Sequence, residues 1–469
     1  MHAAALVLAL LAPLAAPPEG KESGSGPRTG DFKDQYRDPA GSASMRYRLR
    51  APSKLPERPR LGLIVCFHGL NGNEDSITGF AIEMASRNGL ADEYVIAGGK
   101  SEDKGWAESD DAHLLAWIAW LKKTYPIDPR RVHFVGMSNG GWMVNRFGWK
   151  HQGQVATVTA YCAPEAALSG ASDGKAGSRP GPPAETKSEW YLIHGDADDV
   201  VRVDASRVIA KQLRAKGYRY IYREIVGGTH GDILGNRDVS DDVMRFIHAT
   251  RHKDIPLTKE EQAEIASLQG KAKSAKPEEA PAILAEAQRV GGAPGARVIQ
   301  AALANPDPAV KKLALETCRT TAYGRDVLLA TIKLLRDKSE DVKAAAYGAI
   351  AAASVLRYPE AQDALVRTAR NKKAPLAERK LVIDGLARTV KLQFLGNYED
   401  KAPIWTLVLL LDDADASVRQ EAFSQLEKLV KDTFGYKPDL PAKERKSAMA
   451  KWTAWVATKC GPFEQPARK

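Results

Sequence analysis

The chain has 469 residues, too many for one ordinary hydrophobic core, so two or three domains are expected. A hydrophobic content of 44% is enough to build buried cores and excludes wholesale disorder. The formal charge of +10 is unevenly spread: nearly all of the excess lies after residue 250, so it describes the surface of the second half rather than a substrate.

The chain opens with small and apolar residues from Met1 to Ala16. The run is shorter than the roughly 20 residues a membrane span needs, and it predicts a secretory signal peptide cut near Ala16. The expected location is therefore secreted, periplasmic or cell envelope. No other stretch approaches a transmembrane helix. Residues 17–44 read as linker or disordered, and a catalytic domain is expected over 45–250.

Leu61 to Phe67 is a near-continuous apolar run, the pattern of a strand buried on both faces. It ends in His68-Gly69-Leu70-Asn71-Gly72. A turn there can aim the Leu70 N–H at a reacting centre, with His68 expected to be structural. Further on, the strand-like Arg131-Val132-His133-Phe134 runs into Gly136-Met137-Ser138-Asn139-Gly140 and then a helix-like stretch from Trp142. A G-x-S-x-G turn between strand and helix lifts the serine hydroxyl out of the sheet, and the helix N-terminus offers N–H groups to a developing negative charge. Ser138 is the expected nucleophile. The backbone N–H groups of Leu70 and Asn139 are the expected oxyanion donors.

A strand is expected over 155–161, followed by Cys162. The Ser138 strand would separate it from the Cys66 strand. Two strand spacings make about 10 Å, too far for a disulfide, so free buried thiols are expected. Residues 169–188 form a Gly/Ser/Pro-rich insert without apolar periodicity, which predicts a short flap rather than a helical lid. Trp106, Trp142 and Tyr161 lie near motif ends, where they either line a pocket or pack in the core.

The strand-like Glu189 to Ile193 ends in His194-Gly195-Asp196-Ala197-Asp198-Asp199. One acid must orient a histidine and stabilise its charged form, and Asp198 is chosen with Asp199 in reserve. A strand over 220–224 is followed by a Gly-rich loop carrying His230. His248 and His252 lie in a helical pattern, so His230 is the expected general base.

Serine, acid and histidine then occur in the chain order of the α/β-hydrolases, and residues 45 to 250 resemble that superfamily. Gly-Met-Ser-Asn-Gly-Gly, with Asp128-Pro129-Arg130-Arg131-Val132 before it and Ser109-Asp110-Asp111-Ala112 further upstream, resembles the polyhydroxybutyrate depolymerase and feruloyl esterase group. His68-Gly69-Leu70-Asn71-Gly72-Asn73-Glu74 is closer to the phospholipase/carboxylesterase group. Those families commonly carry proline where this chain has Arg202, which alters the pocket rim. The resemblance implies an α/β-hydrolase fold, a mostly parallel sheet flanked by helices, and two-step acyl transfer through Ser138, His230 and Asp198. No metal or cofactor is expected. The expected substrate is an ester: a small molecule, a polyester or an acylated polysaccharide.

Residues 251–281 read as linker and first helix. Polar caps before a branched residue, basic residues and alanines recur at Asn305-Pro306-Asp307, Lys338-Ser339-Glu340, Asp412 to Asp415 and, more weakly, Pro375-Leu376-Ala377. These intervals resemble HEAT-like repeats, with Val310, Val342 and Val418 facing the core over 282–435. A plain helical bundle is the alternative. Residues 436–469 read as a capping helix, carrying Trp452 and Trp455, and tail. A solenoid implies a protein partner; no nucleic-acid role is expected, because no aromatic residues interleave with the basic ones. Three functions stay open: an exported serine esterase, a serine peptidase of prolyl-oligopeptidase type, and a non-enzymatic scaffold.

Overall fold

The computed structural model describes residues 27–166, 168, 188–225, 227–320, 324–354, 359–391, 401–430 and 432–461. The expected signal peptide, nearly all of the expected flap over 169–188, and the extreme C-terminal tail lie outside them.

The first half is one sheet of eight strands: β1 Gly30–Arg37, β2 Ser44–Ala51, β3 Leu61–Phe67, β4 Tyr94–Gly99, β5 Ile127–Met137, β6 Thr157–Tyr161, β7 Glu189–Gly195 and β8 Tyr220–Ile225. Their spatial order is β1-β2-β4-β3-β5-β6-β7-β8. The first two pairings, β1 with β2 and β2 with β4, are antiparallel, and the rest are parallel. Helices α1 Ser76–Arg87, α2 Asp111–Thr124, α3 Asn139–Lys150, α4 Asp204–Ala215 and α5 Arg237–Ala249 cover both faces. Each face has its own core. Phe67, Trp117, Phe134 and Phe147 pack on one side, while Ile64, Val135, Tyr161 and Ile247 pack on the other. Strands β3 and β7 are buried along their whole length. That is why they read as continuous apolar runs instead of alternating ones.

β1 corrects the expected linker at 17–44. Its sequence is charged because it is an edge strand with most residues exposed. Backbone pairing from Gly30↔Ala51 to Arg37↔Ser44 holds it, aided by the Arg48–Asp31 ion pair at 2.7 Å and by Tyr36 stacking near Trp120.

The second half is helical: α6 Lys259–Ser274, α7 Ala280–Val290, α8 Gly292–Leu303, α9 Pro308–Thr320, α10 Arg325–Lys333, α11 Glu340–Ser354, α12 Pro359–Arg370, α13 Leu376–Lys391, α14 Ala402–Leu410, α15 Ala416–Val430 and α16 Ala442–Cys460. Alternate helices pack side by side, so that α7, α9, α11, α13 and α15 form one layer and α6, α8, α10, α12, α14 and α16 another. The array begins with α6, which lies inside the span 251–281 read as linker and first helix. Thr258 and Glu261 form a capping box there. Val310, Val342 and Val418 are all fully buried.

The turns entering this half's helices share one device. The side chains of Asn305, Asp337, Asn371 and Asp413 each accept from the backbone N–H two residues on, at 2.8, 2.9, 3.1 and 3.0 Å. Three of these residues also tie to the preceding helix pair. Asn305 donates to the carbonyls of Ala272 and Ala275, Lys311 reaches Asp337 at 2.8 Å, and Arg379 reaches Asp413 at 2.5 Å.

The halves meet through polar contacts. Arg130 bridges Asp128 in the sheet domain and Glu261 on α6. Buried Arg251 donates to the carbonyls of His248 at 2.6 Å and Arg289 at 3.1 Å, at the C-terminal ends of α5 and α7. Helix C-termini carry partial negative charge, which is what a buried guanidinium without a carboxylate partner requires.

Arg379 and Asp413 are both buried, so removing one partner strands the other. Arg379→Ala is expected to cost about 3–5 kcal/mol in urea unfolding of the helical half. A loss below about 1 kcal/mol would mean that water reaches the pair.

Candidate active site

The C-terminal ends of β3, β5, β6, β7 and β8 lie along one edge of the sheet, and each delivers a residue to the same mouth.

Ser138 sits in the turn between β5 and α3 at φ 55° and ψ −122°, a conformation that L residues rarely adopt. The strain is held by crowding. A Cβ at Gly140 would lie 2.1 Å from the Phe67 carbonyl oxygen, and one at Gly136 would lie 2.2 Å from the Gly140 oxygen. The Ser138 N–H donates to the Tyr161 carbonyl at 2.8 Å, tying the turn to the end of β6.

The loops after β7 and β8 are drawn together by backbone contact. A Cβ at Gly195 would meet the Gly228 oxygen at 2.0 Å. The Asp196 N–H donates to the Ile225 carbonyl at 3.0 Å, and the Ala197 N–H to the Gly228 carbonyl at 3.0 Å. This approach sets the His230 Nδ1–H against Asp198 Oδ2 at 2.7 Å. Asp198 Oδ1 accepts from the N–H groups of Val200 at 2.9 Å and Val201 at 2.8 Å. Burial pushes the Asp198 carboxyl up, but the Val201 N–H, the Cys162 thiol and His230 more than offset it, leaving it below the usual carboxylate range. Asp199, the reserve acid, is exposed and makes no such bond.

The structure brings Asp198 and His230 into contact and places Ser138 at the same edge. Ser138 Oγ makes no hydrogen bond to His230 in this arrangement.

Leu70 and Asn139 present backbone N–H groups with no acceptor among the described residues. The loop carrying Leu70 is fixed by His68. Its Nδ1–H donates to the Gly69 carbonyl at 2.7 Å, and its Nε2 accepts from the Ser101 N–H at 3.1 Å. Burial lowers its pKa, so His68 stays neutral and structural. Gly69 backs directly onto the serine, since a Cβ there would stand 3.4 Å from Ser138 Cβ.

The three aromatic residues near motif ends occupy different places. Trp106 is buried, packed on Phe67 and His68 with ring centroids 5.1 and 5.0 Å away, and its Nε1–H donates to the His68 carbonyl at 3.1 Å. Tyr161 is buried against Phe80 at 5.6 Å. Trp142 is half-buried, with the Arg146 guanidinium 5.3 Å from its ring centre. Trp106 and Tyr161 thus sit inside the packed core rather than on an open rim. The exposed large apolar residues at this edge are Leu70 and Val200, 61% and 68% exposed.

Three contacts here carry little sequence signal. The Asn139 side chain clamps the Trp106 backbone, accepting from its N–H at 2.6 Å and donating to its carbonyl at 3.3 Å. Cys162, expected as a plain buried thiol, is free and buried but holds φ 44°, with its thiol beside the Asp198 carboxylate. Its Sγ lies within 4.8 Å of ligand atoms of Asp198 and His230. Such a group could in principle hold a cation, but its carboxylate and imidazole already satisfy each other. The third is His194, which also reaches Asp198 Oδ2, at 3.2 Å. The position of Cys162 and His194 at strand ends, beside the serine and acid loops, is the one clue the sequence holds for them.

No family model matches the chain, and no curated protein does. Its fold is similar to several solved structures. One is a thermostable esterase: 18% identity, TM-score 0.37, covering 47% of this chain and 63% of that one, less than two thirds of its length. Another is an S-formylglutathione hydrolase from Staphylococcus aureus: 12% identity, TM-score 0.36, covering 48% of this chain and 100% of that one. A third is an acylaminoacyl peptidase from Pyrococcus horikoshii: 14% identity, TM-score 0.36, covering 50% and 44%. These likenesses are too distant to assign an activity, which has to come from the geometry of the chain's own residues.

That geometry separates the two acids. Asp198→Asn is expected to slow any reaction run through Ser138 and His230 by about 10⁴-fold, because the amide favours the wrong imidazole tautomer. Asp199→Asn should leave the rate nearly unchanged, and the reverse ranking in a rate assay would reassign the acid.

Proposed function

We propose that this chain is an α/β-hydrolase that cleaves carboxylic esters through an acyl-enzyme on Ser138. The observation that carries the reading is the 2.7 Å bond between His230 Nδ1–H and Asp198 Oδ2, at the sheet edge where Ser138 stands at φ 55°. That bond leaves His230 Nε2 as the free basic nitrogen.

In the proposed reaction His230 Nε2 takes the Ser138 proton as Oγ attacks the ester carbonyl. The Asp198 carboxylate stabilises the imidazolium. The tetrahedral oxyanion accepts from the N–H groups of Leu70 and Asn139, which have no acceptor among the described residues. His230 then returns the proton to the leaving alcohol. Water, activated the same way, releases the acid.

The exposed Leu70 and Val200 support an ester with an apolar body, since their side chains would be covered by it. The apolar N-terminal run supports export. The two-layer helical array supports a HEAT-like solenoid that presents its surface to a protein partner. No described helix is long and apolar enough to cross a membrane.

A fluorophosphonate probe tests the reading, because it reacts only with an activated serine in a folded site. Labelling is expected on Ser138, and Ser138→Ala should abolish it. The same substitution should cut hydrolysis of a short-chain aryl ester by at least about 10⁴-fold. Folded protein that leaves the probe untouched would exclude the hydrolase and favour a scaffold.

A further inference from the structure

The acid of the proposed triad has a second imidazole on it. His194 Nε2 lies 3.2 Å from Asp198 Oδ2, the same oxygen that accepts from His230, and both side chains are fully buried. The other ring nitrogen, Nδ1, is 2.7 Å from the buried hydroxyl of Ser206, near the start of α4. Nε2 is also 2.8 Å from the Val201 carbonyl oxygen. Two acceptors face Nε2 and a hydroxyl faces Nδ1. The arrangement therefore selects one tautomer: the proton sits on Nε2 and Nδ1 accepts from Ser206. Burial lowers the pKa of His194 and keeps it neutral.

We propose that His194 is a positioning residue for the triad acid, and that Ser206 sets the tautomer that lets it act. The assignment rests on the serine-hydrolase reading. A line of polar contacts runs from Ser206 through His194 and Asp198 to His230. The charged and titratable groups that face Asp198 are His230, His194 and the Cys162 thiol, and its remaining oxygen is taken by the Val200 and Val201 N–H groups. With contacts on both oxygens, the carboxylate is held in place when His230 becomes charged. His194 also draws off part of the charge on Oδ2. Without it the carboxylate would hold the His230 proton more tightly, and His230 would be a poorer base at low pH.

The test needs no natural substrate. It compares the rate of fluorophosphonate labelling of Ser138 across pH in the full chain, with folding checked by circular dichroism. His194→Ala is expected to slow the inactivation step about 10- to 100-fold with little change in probe affinity, and to move the acid limb to higher pH. His194→Gln keeps a donor N–H at the same reach and should restore most of the rate. Ser206→Ala touches neither acid nor base, yet should lower the rate by releasing the tautomer. His194→Ala labelling at the parent rate, or His194→Gln failing as badly as His194→Ala, would overturn the assignment while leaving the hydrolase reading intact. A parent chain that never labels would instead sink the hydrolase reading, and this assignment with it.

Discussion

Everything at the sheet edge depends on how closely backbone can approach backbone at three glycines. Ser138 keeps a left-handed conformation because neither Gly136 nor Gly140 carries a Cβ to push the turn away from the Phe67 and Gly140 carbonyls. The loops after β7 and β8 meet because Gly195 has no Cβ to strike the Gly228 carbonyl. One contact raises a hydroxyl; the other joins a carboxylate to an imidazole. A side chain at any of the three would cost more than its own strain, since it would part the groups gathered at this edge.

The polar groups around this crowding are almost fully paired, which is what makes a buried carboxylate tolerable. The Asp198 side chain is fully buried. Two backbone N–H groups, a thiol and two imidazoles stabilise its charge. His68 does similar work on the opposite side, holding the loop before α1 so that the Leu70 N–H stays unclaimed. The backbone N–H groups of Leu70 and Asn139 at this edge have no acceptor among the described residues.

The helical half solves a different problem. It has no large sheet to bury, so each helix pair must bind the next. Short side chains at the turns do this: Asn305, Asp337 and Asp413 fold their own loops and also hold the neighbouring pair. Some cations of this half are turned inward: Lys311, Arg379 and Arg289 pair with acids, and Arg251 is buried at the junction. Charge counted along the chain is thus not all charge offered to a partner.

The sequence by itself determined the strands whose apolar runs are continuous, the strand-turn-helix around Ser138, and the helices with polar caps. These follow from local chemistry: periodicity, glycine and capping act over a few residues. It also narrowed the acid to Asp198 or Asp199 and singled out His230 by its loop. Only the tertiary structure shows which of the two carboxylates meets His230, because that depends on the contact of Gly195 with Gly228. It also decided that residues 30–37 form a strand, since an edge strand is held by its neighbour's backbone and shows little pattern of its own. The roles of Cys162 and His194 were illegible for the same reason. A thiol and an imidazole at strand ends look like packing until the adjacent strands set a shared carboxylate between them.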